Sequence, residues 1–593
     1  MRAGREGGSA ARWRTVAAAA TLAAVLTAAS AAPGPAGAPD GSAPDRSVPD
    51  RPAPDRPAPQ GAAPDRPAPD RTAPDRAVTG APYGGTGFAG EVVRTETGPV
   101  RGVRSGEHTL FLGIPYAAPP KGAYRWTPPR PAARWSGVRD ATKPGPLCPQ
   151  VPSSYAPIAS EEEDCLVLNV TTPPGSARRP APVLVWIHGD GAVGGGAFFD
   201  GRRLAAQGLV VVTVNYRMGV FGGLALPGLE GSGTFGLQDQ QAALAWVRRN
   251  AAAFGGDPGN VTVAGVSFGA AAIAGHLTSP GARNLFDRAV MASGEGMLDM
   301  PAGAMGPGVP GYPWYVWRTD REMRGITTEM TAPLGCAHRD PARTLGCLRA
   351  LPVKRILEVP HIMNAFQAFG YGTPALPELP AGALREGRFH RVPVLSGATR
   401  DEHRTFVGML YDAVGKPMTE DGYREALRTA FGRNAERVRA AYPSDAFPSP
   451  GLAWATVVTD RMWARGTEAQ NRALGRHVPT YAYEFADRDA PMFLPLPGGF
   501  DFGAYHAGDL SYLFEDEKAE PLFTPAQREL AATMTAYWAA FARSGDPNAP
   551  GLPRWTPYRP GDRPPYTQSL APDRIGPVDY HREHRLGFWS RLP

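Results

Sequence analysis

The sequence predicts an α/β fold, in which β-like apolar runs end in small-residue loops and those loops carry the chemistry. Three observations predict it. The run Val261-Thr262-Val263-Ala264 turns through Gly265-Val266-Ser267-Phe268-Gly269 straight into the helix-like run Ala270–Ala274. Val183–Ile187 is a second apolar run, and it opens into a glycine-rich loop. Arg391–Gly397 reads as a buried strand closed by a glycine turn, and the loop beyond it brings the carboxylates of Asp401 and Glu402 to a strand end. Short apolar runs bounded by turn signals read as buried strands.

In chain order, Arg2, Arg5, Arg12 and Arg14 precede the apolar run Val16–Ala29, and Ala29-Ser30-Ala31 is an A-x-A cleavage site. Residues 1–31 therefore read as a secretory signal peptide, too short in its apolar run for a comfortable membrane span, with an uncleaved anchor as the alternative. Residues 32–85 form a linker in which Pro-Asp-Arg recurs at Pro44, Pro49, Pro54, Pro64, Pro69 and Pro74. Proline fixes φ and removes donors while the paired charges keep the segment solvated, so this stretch is expected to be a disordered, semi-rigid spacer. It either holds the protein near a cell wall or serves as a passive linker. Residues 86–593 are left as one catalytic unit, without a later transmembrane stretch. A formal charge of +6 over 593 residues, with no aromatic-basic cluster, argues against nucleic acid as a partner. Four cysteines are an even set for an exported protein, which favours disulfides over free thiols.

The G-x-S-x-G turn proposes a nucleophile. A serine between strand and helix needs small neighbours, and the strained turn lifts its hydroxyl toward the helix N-terminus. A hydroxyl attacks only when a base takes its proton, so a histidine and an orienting carboxylate are expected later in the chain. Phe502–Leu510 places His506 on a small-residue loop, and Asp401 and Glu402 compete for the acid. A decoy sits between these elements. Gly189-Asp190-Gly191-Ala192-Val193-Gly194 satisfies G-x-G-x-x-G after a strand, yet Gly195–Gly201 is no helix start, and without a helix N-terminus a dinucleotide has no seat. No metal or phosphate motif accompanies it, and no cofactor is expected.

Ordered blocks carry a resemblance from about Thr86 to Pro593. They are Gly113-Ile114-Pro115-Tyr116-Ala117 with Pro119-Pro120, Glu163-Asp164-Cys165-Leu166, Val185-Trp186-Ile187-His188-Gly189 and Asn215-Tyr216-Arg217. Asp239-Gln240 with Trp246-Val247, Phe254-Gly255-Gly256-Asp257-Pro258 and Gly545-Asp546-Pro547-Asn548 follow. The chain resembles the type-B carboxylesterases, the lipase and cholinesterase-like branch of the α/β-hydrolases. The resemblance implies an α/β-hydrolase fold, a central, mostly parallel twisted sheet flanked by helices. It also implies a secreted serine hydrolase for small-molecule carboxylic esters, with Ser267 as nucleophile, His506 as base and Glu402 as acid. It pairs Cys148 with Cys165 and Cys336 with Cys347. The oxyanion donors it implies are the N–H groups of Asp190, Gly191 and Phe268.

Here the chain departs from the family pattern. Asp190 stands where the family has glycine, Phe268 follows the serine in place of a small residue, Val266 replaces a common acid before it, and His403 replaces the glycine after the acid. An ionised Asp190 about 5 Å from an oxyanion would repel it by roughly 3 kcal/mol at an effective dielectric near 20. Two other readings follow: a catalytically weak or inactive binding or adhesion module on this fold, and an amide or lactone hydrolase, since the triad does not choose the leaving group.

Overall fold

Val183, Val185 and Ile187 enter one hydrophobic core while Leu184 and Trp186 enter another, so the strand they form is buried on both faces. The same split divides Val210, Val212 and Val214 from Val211. Side chains alternate across a strand, and a run that is apolar at every position must therefore lie between two covered faces, which is where parallel strands occur. The structure, a computed structural model, describes residues 89–592 except 154, 155, 157, 175–178 and 493–498. The signal peptide expected at 1–31 and the linker expected at 32–85 lie outside the described residues.

The principal strands are β1 (Ala89–Arg94), β2 (Pro99–Ser105), β3 (His108–Pro115), β4 (Val167–Thr171), β5 (Ala181–Ile187) and β6 (Val210–Val214). They continue as β7 (Gly256–Val266), β8 (Arg288–Ala292), β9 (Val394–Thr399), β10 (Thr480–Phe485), β11 (Thr567–Ala571) and β12 (Arg574–Val578). With the short pair Arg139–Asp140 beside β2 they make one 13-stranded sheet, ordered β1-β2-β3-β4-β6-β5-β7-β8-β9-β10-β11-β12. The run from β6 to β11 is parallel throughout, and both margins are antiparallel. This is the α/β-hydrolase architecture expected.

Helices cover both faces. α1 (Phe235–Asn250) and α2 (Phe268–Thr278) contribute to the first core, and α3 (Pro525–Ser544) to the second. Local chemistry sets the ends of α3: Thr524 and Gln527 form a reciprocal capping box, Pro525 occupies the first turn, and Gly545 ends the helix at φ 79. A third core, with Trp454, Val458 and Tyr423, joins a helical layer beyond the C-terminal ends of the strands. Disulfides Cys148–Cys165 and Cys336–Cys347 span Cα separations of 4.9 and 5.5 Å. The decoy loop runs into a short 3-10 turn at Gly196–Phe198, not a helix able to receive a pyrophosphate.

Candidate active site

Between the end of β7 and the start of α2, Ser267 adopts φ 55 and ψ −123, a conformation that L-residues avoid. Close backbone approach explains why the turn needs glycines. A Cβ on Gly265 or Gly269 would lie 2.8 or 2.2 Å from the Ile187 carbonyl oxygen, and one on Gly294 would lie 1.9 Å from the Ser267 oxygen. The Ser267 N–H donates to Ala292 O at 2.8 Å, tying the turn to the end of β8.

Three side chains separated by more than a hundred residues meet there. Ser267 Oγ lies 3.0 Å from His506 Nε2, and His506 Nδ1 hydrogen-bonds Glu402 Oε2. Thr399 N–H donates to Glu402 Oε1 at 2.8 Å, so the end of β9 fixes the carboxylate. His506 is 3% exposed and Glu402 0%, and the imidazole packs against Phe406 and Trp463 with ring centroids 5.2 and 4.9 Å away. Asp401 turns the other way. It accepts from Arg488 Nε and Nη2 at 2.9 Å and from Ala504 N–H at 3.0 Å, while its own N–H donates to Ala504 O at 2.9 Å. Asp401 thus fastens the loop that carries His506, and Glu402 faces the imidazole.

His403, standing at the position of the family glycine, is fully buried. Its Nε2–H donates to Ala304 O at 2.9 Å and its Nδ1 accepts from Trp463 Nε1–H at 3.3 Å. Burial holds its ring near pKa 3, hence neutral, so the substitution adds a wedge behind the site without adding a charge.

The loop after β5 gives Asp190 φ 69 and Gly191 φ 85. Asp190 tolerates this left-handed backbone because its short carboxylate bonds locally: Oδ1 accepts from Ala192 N–H at 2.9 Å and Val193 N–H at 3.3 Å. Gln367 Nε2 also donates to Oδ1 and to the Asp190 carbonyl, each at 2.9 Å. Burial pushes the Asp190 carboxyl above its usual range against these hydrogen bonds. The Gly191 N–H donates to Gly189 O at 3.0 Å, so that expected donor is engaged within the loop. Phe268, the first residue of α2, has no intrahelical acceptor for its N–H. Its ring stacks on Phe369 at 4.4 Å. Beneath the loop His188 is held neutral, its pKa lowered to about 4 by burial.

Two residues that no motif marks complete the surroundings. Gln367 is one. The other is Glu295, 1% exposed, just beyond β8. Thr467 Oγ1 lies 2.6 Å from Glu295 Oε1 and 3.0 Å from Trp463 O. One hydroxyl proton cannot serve both oxygens, whereas a protonated Glu295 supplies the second. Burial, reinforced by the charge of Glu402, raises Glu295 to about 8, which agrees. Among the described residues no cluster of three or more metal-ligating side chains occurs, and no helix is long and apolar enough to cross a membrane.

Comparison with known proteins bears on this geometry. The model of the Carboxylesterase family matches residues 89–589. The chain is 33% identical over 564 residues to an acetylcholinesterase of Bungarus fasciatus, covering 85% of this chain and 87% of that one. It is 33% identical over 484 residues to the para-nitrobenzyl esterase of Bacillus subtilis (strain 168), with 79% and 92% covered. A fumonisin B1 esterase of Sphingopyxis macrogoltabida is 32% identical over 487 residues, with 78% and 84% covered. A strand-turn-helix serine on a largely parallel sheet, matched along nearly all of its described length by relatives named as esterases, places the chain in the carboxylesterase family, consistent with a carboxylic ester hydrolase.

Proposed function

We propose that Ser267 is the nucleophile of a secreted serine esterase, with His506 as general base and Glu402 orienting the imidazole. The observation that carries this reading is the continuous hydrogen-bonded line from Ser267 Oγ through both ring nitrogens of His506 to Glu402. In the tautomer that suits it, Nδ1–H donates to Glu402 and Nε2 accepts from the hydroxyl. His506 takes the serine proton as Oγ attacks the ester carbonyl, then gives that proton to the leaving alcohol; water repeats the cycle on the acyl-enzyme. The N–H groups of Asp190, Gly191 and Phe268 are the oxyanion donors in this scheme, Gly191 giving up its bond to Gly189 O when the charge develops. Export is supported by the A-x-A site after Val16–Ala29 and by the two disulfides.

The test is Ser267→Ala on the mature protein, read with a fluorophosphonate probe and a panel of chromogenic esters of increasing acyl length. Labelling is expected to vanish and turnover to fall by roughly a millionfold while the melting temperature holds. Undiminished labelling ends the assignment. Anilides and lactones in the same panel separate an ester preference from the amide and lactone alternatives.

A further inference from the structure

Both departures from the family pattern in the candidate oxyanion cradle, Asp190 and Phe268, touch one short segment. Gln367 donates through Nε2 to both the carbonyl and the carboxylate of Asp190, so one amide group spans the residue's backbone and side chain. Two residues on, Phe369 stacks on Phe268 with the rings inclined by 22°. A third contact comes from the preceding helix, Ile362–Ala365. Gly219 N–H donates to Gly191 O at 2.8 Å, and a Cβ on Gly219 would lie 2.6 Å from Met363 Cε, so Met363 backs the group that holds Gly191.

The segment is itself anchored. Phe369–Tyr371 pairs in parallel with Trp317–Thr319, Phe369 N–H donates to Val316 O at 2.9 Å and Gly370 N–H to Gly233 O at 3.0 Å. Phe366, Ala368 and Phe369 are buried at 2, 6 and 4% exposure. Within residues 366–369 the one polar residue is Gln367, and its amide meets Asp190.

We propose that residues 363–369 form a strap that positions the oxyanion cradle, with Gln367 as the positioning residue that makes Asp190 acceptable where a glycine is otherwise needed. Asp190 in the left-handed region must keep its N–H aimed at the reacting carbonyl while its carboxylate stays away from the developing charge. The Ala192 and Val193 N–H groups draw the carboxylate back along the loop. Gln367 fixes it from outside and pins the peptide carbonyl at the same time, so carboxylate and peptide plane cannot rotate independently. Removing the clamp frees the carboxylate to swing toward the oxyanion and frees the peptide that carries the Gly191 N–H. The charged or titratable groups facing Asp190 are His506, Tyr216 and Tyr315, none of which offers it a fixed cation.

The inference rests on the serine-esterase reading above, and the experiment separates the two. Gln367→Glu keeps the shape, removes both donors and sets a carboxylate against Asp190. It is expected to lower kcat on a good ester roughly tenfold to a hundredfold, short of the loss when an oxyanion donor is deleted outright, with KM changed less than about threefold. Affinity for a trifluoromethyl ketone, which forms the tetrahedral adduct, should fall in parallel with kcat. In the Asp190→Gly background the same Gln367 change should cost clearly less than beside Asp190, because the carboxylate it restrains is gone and only the pinning of the residue 190 carbonyl is lost. A wild-type kcat, or unchanged ketone affinity, in folded Gln367→Glu overturns the proposal, as does a full effect that persists beside Asp190→Gly. Should Gln367→Glu not fold, Gln367→Met carries the same expectations and the same refutations. Wild-type turnover in Ser267→Ala instead defeats the parent reading, whatever the residue 367 variants do.

Discussion

Asp401 and Glu402 are adjacent carboxylates with different partners. Glu402 meets the imidazole of His506, and Asp401 meets the guanidinium of Arg488 and the N–H of Ala504. Their substitutions should separate along that line. Glu402→Gln is expected to lower kcat by about 10⁴, by analogy with loss of the orienting acid in a serine triad, with little change in melting temperature. Asp401→Asn should act first on stability, since it weakens ion pairs with buried Arg404 and half-exposed Arg488, and breaking a buried ion pair costs up to about 3–5 kcal/mol. Its kcat should stay within roughly tenfold of wild type, because the imidazole keeps its acid. A reversed pattern in kinetics and calorimetry would make Asp401 the orienting acid. The residue pattern left these two carboxylates competing, since a pair on one loop differs only by which way each points. Ser267 was legible because its turn imposes small residues at fixed spacing. Gln367 was not: it sits 177 positions from Asp190, and a single glutamine in a loop has no pattern of its own.

β5 and β7 fall on the continuous apolar runs that predicted them, and each extends further toward its N-terminus, through Ala181–Pro182 and Gly256–Asn260. Gly256–Asn260 belongs to β7 although its glycines and proline read as a turn. Less visible was the short C-terminal helical segment, where buried ion pairs add to the apolar packing of Tyr580, Leu586 and Trp589. His584, 4% exposed, bridges Asp460 at 2.7 Å and Glu484 at 2.6 Å, from positions 124 and 100 residues away. Burial opposes the charged ring, but the two carboxylates outweigh it and raise His584 to about 10. Tyr442 donates to the same Asp460 at 2.7 Å and accepts from Trp589 Nε1–H, so the bridge joins the end of the chain to the third core. His584→Ala should therefore leave two buried carboxylates without their cation and cost about 3–5 kcal/mol. Hydrogen exchange should show the loss beginning at residues 580–589. A melting temperature equal to wild type would mean that the bridge contributes nothing net.

Across the whole molecule the buried titratable groups set the direction in which pH moves stability. Glu295 is raised from 4.5 to about 8 and Asp509 from 3.8 to about 7, both chiefly by burial, and His584 stands near 10. Each binds a proton more tightly in the folded chain than in the unfolded one. Its contribution is therefore complete below the unfolded pKa and is lost as pH rises through the folded value: 4.5 to 8 for Glu295, 3.8 to 7 for Asp509 and 6.5 to 10 for His584. His188, His276 and His403 work in the opposite sense. Burial lowers them from 6.5 to about 4, 3 and 3, so the unfolded chain takes up protons that the folded one refuses, and stability falls as pH drops below 6.5. The two sets cross near 6.5. Above that value Glu295, Asp509 and His584 act together, and the melting temperature should fall steadily from about pH 6.5 to 9. Glu295→Gln replaces the protonated carboxyl with a neutral amide of the same shape, so it should remove the slope that Glu295 contributes between pH 4.5 and about 8, flattening this fall below about pH 8 and steepening the loss of stability as pH drops from 6.5 toward 4.5. A melting temperature that rises from pH 6.5 to 9, or an alkaline limb identical in Glu295→Gln, would show that Glu295 is ionised in the folded protein and that Thr467 alone satisfies it.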